Sequence, residues 1–441
     1  MQKRIRRSWQ QKAAIIAMAL FSTTYASTVY ALPQNGTVTS GAATVSSESN
    51  TMTVNQSTDK VAIDWNSFNI NKGESVNFAQ PSNTSIALNR VTGSSASAIN
   101  GSLNANGRVF LINQNGILFG QGSSVNVGGL VASTHDISNS DFEKGSYTFA
   151  GSSAAAVKNA GKINAEGGVV ALLASDVENS GTITTKSGTT ALLAGSNINI
   201  DYTGSGKINF TVNKSIADAK ALNSGTIQAD GGYVYMTARD ASTTLNTVVN
   251  NTGVIEAKSL KNVNATIVLE GGDQGVVEVG GSIDASGDEA GQTGGNIKAI
   301  GAVTRVLADA SLKATGDQAG GLIETSGDVL NVSSKAQIDA SSANGTAGQW
   351  LLDPLEVIIG SQDGEALAGD SNTSTTTITQ NSTMKNGVYQ PSSAAESKTS
   401  YISAQQVANM LNKGTAVTVE AQDTNAVSSI VVNSAIHKTA G

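Results

Sequence analysis

The sequence predicts an all-β protein, a right-handed parallel β-helix (β-solenoid) with short extra-helical strands and loops and an N-terminal cap. Three observations predict it. The 441 residues include 47 Gly but 4 Pro, with 4% aromatic and 14% charged residues, while hydrophobic residues still reach 39%. That is too apolar for disorder and too poor in aromatics for an ordinary globular core, so the interior must be built from small and β-branched residues in narrow layers. The apolar runs are short and bounded by Gly, Asn or Ser, as strands bounded by turns are. The third observation is an echo. Gly161-Lys162-Ile163-Asn164-Ala165 leading to Ala171-Leu172-Leu173-Ala174 returns at Gly181-Thr182-Ile183-Thr184-Thr185 leading to Ala191-Leu192-Leu193-Ala194.

The same beat recurs at Asn223-Ser224-Gly225-Thr226-Ile227 and Asn251-Thr252-Gly253-Val254-Ile255, more weakly at Gly281-Ser282-Ile283-Asp284 and Ala336-Gln337-Ile338-Asp339. A spacing of 20 to 30 residues suits one solenoid coil. No coil buries its inner face alone, but stacking coils about 4.8 Å apart pairs the backbone and layers Ile, Val and Leu inside. At roughly 22 residues per coil the chain would make on the order of 15–19 coils, fewer where insertions widen them. Asn recurring at the bends would stack as side-chain ladders. A β-sandwich explains the alternation but not the echo.

Taken in order, the chain opens on Lys3, Arg4, Arg6, Arg7 and Lys12, followed by the apolar stretch Ala13 to Phe21 and by Val29-Tyr30-Ala31. These are the basic region, apolar region and small-residue cleavage site of a signal peptide, here ending at Ala31. The apolar stretch is too short to span a bilayer. Removing residues 1–31 removes five positive charges and no acids, taking the formal charge from −7 to −12. So acidic a chain is a poor partner for nucleic acid or an anionic membrane surface.

Val61 to Ile70, Val76 to Phe78, Ile86 to Val91 and Val109 to Ile112 then read as early strands. Asn113-Gln114-Asn115-Gly116-Ile117 separates two of these short runs with residues that bend easily. Residues 356–400 form a polar excursion that includes the run Thr373 to Thr377. Ser403 to Gly414 predicts a short helix, capped by Ser403, ended by Gly414, with Val407, Met410 and Leu411 on one face. Ala416 to Ala421 resumes strand alternation. An open solenoid end would leave an unpaired edge, so the chain is expected to be part of a longer protein.

Enzymatic chemistry finds little support. Cysteine is absent, which excludes thiolate catalysis and disulfides. The two histidines, His135 and His437, lie far apart, and His135 beside Asp136 is expected on a surface turn. Gly128-Gly129 and Gly231-Gly232 lack the Lys and the strand–loop–helix setting of phosphate cradles and are expected to be bends. A β-helical polysaccharide lyase or glycosidase needs clustered or paired acids. Asp284, Asp288, Glu289, Glu324, Asp328 and Asp339 sit among Gly and Ser and are expected on solvated faces. The chain is therefore expected not to be an enzyme, and to need no metal or cofactor.

Several segments resemble, in order, the secretion domain of filamentous-haemagglutinin-type exoproteins of two-partner secretion (the TpsA family). Leu32-Pro33-Gln34-Asn35-Gly36 resembles the start of that domain. Trp65, Phe68, Asn69 and Ile70 match a Trp-x-x-Phe-Asn-Ile element. Leu88-Asn89-Arg90-Val91 is similar to a segment of the Haemophilus high-molecular-weight adhesin subgroup. Asn113, Gln114, Asn115, Gly116 and Ile117 resemble the secretion motif, with Gln114 where the family usually has Pro. Glu324 to Gly327 and Trp350-Leu351-Leu352-Asp353-Pro354 resemble elements beyond the secretion domain.

The resemblance implies passage through the Sec translocon and recognition by an outer-membrane TpsB transporter bearing POTRA domains. It also implies solenoid folding outside the cell, secretion or display at the cell surface, and adhesion to a host receptor or glycan. A stalk for a contact-dependent inhibition toxin and a secreted haemolysin are the alternatives. Without Pro at position 114, Asn113 and Asn115 are expected to hold the turn by side-chain bonds to backbone. The expected organisation is a signal peptide at 1–31, a secretion β-helix at 32–275 and further coils at 276–355. A polar loop at 356–400 and a helix with the next repeat region at 401–441 complete it.

Overall fold

The computed structural model describes residues 32–202, 208–241, 246–261, 263–360, 383–385, 388–390, 399–421, 429–433 and 435–439. The expected signal peptide with Ala31, and most of the polar excursion, lie outside these residues. Among the described residues, most coils lay a short strand on each of three faces of a parallel β-helix, and Thr266–Val279 and Asn296–Val306 each run across two of the faces. In one coil these strands are Ala156–Asn159, Lys162–Asn164 and Val169–Ala174, and they pair in register with Asp176–Asn179, Thr182–Thr184 and Thr189–Ala194 of the next.

The echo in the sequence is the stacking itself. Leu103, Val125, Ile163, Ile183, Ile227, Ile255, Ile283, Leu312 and Ile338 stand in register on successive strands. Each is at most 1% exposed. The Asn of the beat forms a second column. Asn159 Nδ2 donates to Asn179 Oδ1 at 2.7 Å, Asn179 Nδ2 to Asn223 Oδ1 at 2.8 Å, and Asn223 Nδ2 to Asn251 Oδ1 at 2.7 Å. Asn251 Nδ2 ends the ladder on the Gly280 carbonyl at 2.9 Å. The Gly that follows each Asn is there for contact: a Cβ at Gly181 would stand 2.2 Å from the Gly161 carbonyl oxygen, and one at Gly225 equally close to that of Gly181. Corners stack backbone on backbone, and no side chain fits between them.

The first coil is capped. Thr37–Ser40 pairs antiparallel with Lys60–Trp65, and Ala43–Glu48 antiparallel with Thr51–Gln56, so the first parallel strand of two faces is covered. One face is also covered from outside. Helix α1 (Asn139–Lys144) and an antiparallel sheet of Tyr147–Ala150, Asn197–Asp201 and Asn209–Lys214 lie on it. Their Phe142, Tyr147, Phe149, Ile198, Ile200 and Val212 pack against the outward side chains Leu88, Phe110, Val131, Leu173 and Leu193. Strands such as Val169–Ala174 are therefore buried on both sides, and all six residues are apolar.

Three expectations change. The narrowest face is a twelve-stranded sheet whose first pair is antiparallel, so the described residues hold fewer coils than the sequence estimate. The insertions that build α1 and the flanking sheet take up part of the difference. Strand Thr266–Val279 runs straight through the expected boundary at 275, and the next coil continues it in register. Glu356–Gly360 is a strand where the polar loop was expected to begin, and Thr399–Ser403 inserts between it and Val329–Val332 out of sequence order. Helix α2 (Ala404–Asn412) forms as its caps predict: the Ser403 side chain accepts from the Gln406 N–H, Gly414 takes φ +83°, and Val407 and Met410 are buried.

Candidate functional site

The residues singled out near the N-terminus assemble into one block. Trp65 is 1% exposed, stands edge-on to Phe68 at 5.7 Å, and donates from Nε1 to Asn89 Oδ1 at 3.0 Å. Asn89 Nδ2 in turn donates to the Ala87 carbonyl at 3.1 Å. Gly36 lies so close over the Trp65 ring that a Cβ there would come within 2.5 Å of it. The opening segment is thus seated on this indole, and only Gly allows that approach. Asn69 Oδ1 accepts from the Ala98 N–H at 2.8 Å and so ties that corner to the next coil.

Arg90 is the clamp of the block. Its guanidinium reaches Asp136 at 2.9 Å, Asp64 at 3.0 Å, Asn139 Oδ1 at 3.0 Å and the Ile137 carbonyl at 2.6 Å. Burial works against its charge, but bonds to Asp136 and Asp64 outweigh this and hold its pKa above the usual value. The planar fork lets one side chain join two solenoid strands to the approach of α1. Lys60 adds a second tie, donating to the carbonyls of Phe142 and Glu143 at the C-terminal end of α1.

On this frame sits the turn at 113–117. Gly116 N–H donates to the Asn113 carbonyl at 3.0 Å, closing a β-turn with Gln114 and Asn115 at its tip. Asn113 is fully buried. It accepts the Asn115 N–H on Oδ1 at 2.9 Å and donates from Nδ2 to Ser97 Oγ and the Ser95 carbonyl, both at 3.0 Å. Asn115 Nδ2 donates to the Gly93 carbonyl at 2.9 Å. Side-chain bonds to backbone therefore hold the turn, as its sequence predicts. Gly116 takes φ +107°, and Ile117 turns inward. Gln114 and Asn115 are exposed, and Leu118 stands 43% exposed beside them.

Gln114 occupies the second turn position, where proline's fixed φ fits. Gln114→Pro is therefore expected to keep the turn and to raise stability by about 0.4–1 kcal/mol, read as a small increase in Tm. A fall in Tm would mean that the Gln114 backbone is not shaped as the turn requires.

The later elements meet elsewhere. Trp350 is fully buried and donates from Nε1 to Thr325 Oγ1 at 3.1 Å, so Glu324–Gly327 and Trp350–Pro354 stack on adjacent strands. Asp353 lines a groove of about 510 Å³ with Glu270, Asp273, Glu324 and Asp328. Burial, then Glu420 and Glu324, push its pKa up. Of the acids expected on solvated faces, Glu324 and Asp328 line this groove, and Glu324 is bonded to Lys298 at 2.6 Å. His135, expected on a surface turn, is fully buried. Its burial is supplied by the flanking sheet, which no local feature around Asp136 announces. Arg90 was marked by resemblance alone, and its partners Asp136 and Asn139 lie too far along the chain to be read from spacing.

Comparison with known proteins identifies one family model and three similar proteins. A family model described as the TPS secretion domain matches residues 29–299. The heme/hemopexin-binding protein of Haemophilus influenzae (strain ATCC 51907 / DSM 11121 / KW20 / Rd) is 32% identical over 291 residues, covering 63% of this chain and 31% of that protein. A protein of the same name from Haemophilus influenzae is 39% identical over 143 residues, covering 31% of this chain and 15% of its own length. The crystal structure of the HMW1 secretion domain from Haemophilus influenzae matches with a TM-score of 0.66 at 30% identity, over 74% of this chain and 88% of that one. The chain spans about a third of the length of the first of these relatives, 31%.

Proposed function

We propose an export role on the premise that this chain belongs to the TPS secretion domain family. It is the secretion domain of an exoprotein that a dedicated outer-membrane transporter passes to the outside. Our reading gives the address to the turn at 113–117 and its rigidity to the block around Trp65 and Arg90. The observation that carries this is the division of labour within the turn. Asn113, Gly116 and Ile117 are buried and shape it together with the Asn115 side-chain bond to Gly93, whereas Gln114 and Asn115 are exposed at its tip.

The finer steps follow from the same reading. The signal peptide directs the chain through the Sec translocon and is removed after Ala31. The periplasmic POTRA domains of the transporter bind the secretion domain. Coils then form outside, where the column of Ile and the Asn ladder prevent the chain from slipping back. The whole protein is an adhesin acting at the cell surface or after release, with a host receptor or glycan as its target; nucleic acid is not a partner. A second reading rests on the relative named for heme and hemopexin binding. That likeness covers 31% of the relative, so it bears on export more than on what the remainder binds. The proteins found similar are named for secretion and for heme or hemopexin binding, not for catalysis.

Asn115→Ala tests the address. The side chain is exposed and gives up a surface bond to the Gly93 carbonyl, so its loss is expected to cost about 0.5–1.5 kcal/mol of stability and to leave the domain folded. Extracellular protein should nevertheless fall several-fold, with the periplasmic level of the chain maintained. Normal export of a variant that folds normally would remove Asn115 from the address.

A further inference from the structure

His135 lies at the seam where the flanking antiparallel sheet leaves the solenoid. Its Nε2 is 2.5 Å from the Gly195 carbonyl oxygen. A carbonyl only accepts, so Nε2 carries the proton and Nδ1 is the bare nitrogen of a neutral ring. Nδ1 is buried and has no protein partner. Gly151 closes over it: a Cβ there would stand 2.7 Å from Nδ1. Gly151 N–H donates to the Ser196 carbonyl at 3.0 Å, and Ser196 N–H to the Lys214 carbonyl at 2.9 Å. The imidazole thus touches two of the three threads that enter the flanking sheet, and those threads are bonded to the third.

We propose that His135 is a pH-sensitive latch: protonation at Nδ1 releases the flanking sheet from the solenoid in mild acid. A second N–H at Nδ1 would be a charged donor facing Gly151 backbone in a dry seam, with no acceptor. Moving the ring out to water breaks the bond to Gly195. Nothing nearby would stabilise the imidazolium in place. Strands Gly129–Ser133, Val169–Ala174 and Thr189–Ala194 carry no ionisable side chain. Asp136 is held by Arg90. Tyr147, Asp201 and Lys214 of the flanking sheet, and Asp141, Glu143 and Lys144 of α1, are the remaining ionisable groups of these elements, and the one hydrogen bond of the ring is to Gly195.

The sign follows from burial, which lowers the pKa of His135 from 6.5 and outweighs the bond to Gly195. A depressed folded-state pKa means stability that is fully present above the unfolded value and lost as pH falls from it toward the folded one. The released surface would be apolar: Phe142, Phe149, Ile198 and Leu193 face one another across it.

Hydrogen exchange and a histidine titration on the chain lacking its signal peptide test this. After correction for intrinsic exchange, protection of 147–151 and 197–201 should drop by up to roughly 30-fold between pH 7.5 and 5. The Ile column at 182–184 should keep its protection. His135→Gln preserves an N–H for Gly195 but does not titrate, so its protection should stay flat. Equal loss in both proteins, or an imidazole of His135 titrating near 6.5 with protection unchanged, would overturn the proposal. If His135→Gln fails to fold, the titration and exchange of the unaltered chain decide alone.

Discussion

Asn179→Ala is expected to cost about 2–5 kcal/mol, far more than a surface Asn. The substitution removes the middle of a buried ladder. Asn159 Nδ2 loses the acceptor it holds at 2.7 Å, and Asn223 Oδ1 loses the donor at 2.8 Å. Each orphaned group is worth about 1–3 kcal/mol in a dry interior. The nearest backbone alternatives are poor, since Asn159 reaches the Gly161 carbonyl only at 3.4 Å. In a solenoid the damage should be felt by the neighbouring coils first. Hydrogen exchange across 156–159, 176–179 and 220–223 should therefore accelerate by roughly 30-fold or more, with distant coils spared. Ile183→Val, one column away, should cost only about 0.5–1.5 kcal/mol. If Asn179→Ala were as mild as Ile183→Val, the ladder would be an ornament on a core held by aliphatic packing.

The second large effect is expected at Arg90. Arg90→Met keeps the apolar stem but leaves Asp64 and Asp136 facing each other across the clamp. Removing one partner of a buried ion pair costs about 3–5 kcal/mol; these carboxylates retain 31% and 35% exposure, so water relieves part, leaving about 2–4 kcal/mol. Arg90→Lys keeps the charge without the fork and should recover little, because a single ammonium does not reach four oxygens at once. The loss should appear as a lower Tm and as early exchange in α1 and in the flanking sheet. Export should fall as well, but through loss of folded protein. That separates Arg90 from Asn115, where folding is retained and the address is lost.

Much of this architecture is legible from the residues. Ile163, Ile183, Ile227, Ile255, Ile283 and Ile338 mark the coil because stacking demands the same inward side chain at the same corner. The Asn before the glycine is legible for the same reason, since its amide bonds to its own kind one coil away. Helix α2 is legible from Ser403 and Gly414 because caps are local. The flanking sheet is not. Its strands alternate like any coil strand, and nothing near Tyr147 says that it pairs with Ile200 rather than with the next coil. The burial of His135 is illegible for the same reason, because the segments that bury it lie up to sixty residues away. Strand Thr399–Ser403 inserts between coils that precede it, an order that no periodicity encodes. Of the candidate site, the turn chemistry of Asn113 and Asn115 could be read locally, whereas the clamp of Arg90 on Asp136 and Asn139 needed the fold.

In the proposed export role, the outer-membrane transporter reads the tip of the 113–117 turn. The most direct test is a photo-crosslinking residue placed at Gln114 in cells that are exporting the protein. A crosslink to the periplasmic part of the transporter is expected from position 114, and none from exposed Lys72. Efficient export with no crosslink from 114, or an equal crosslink from both positions, would contradict it.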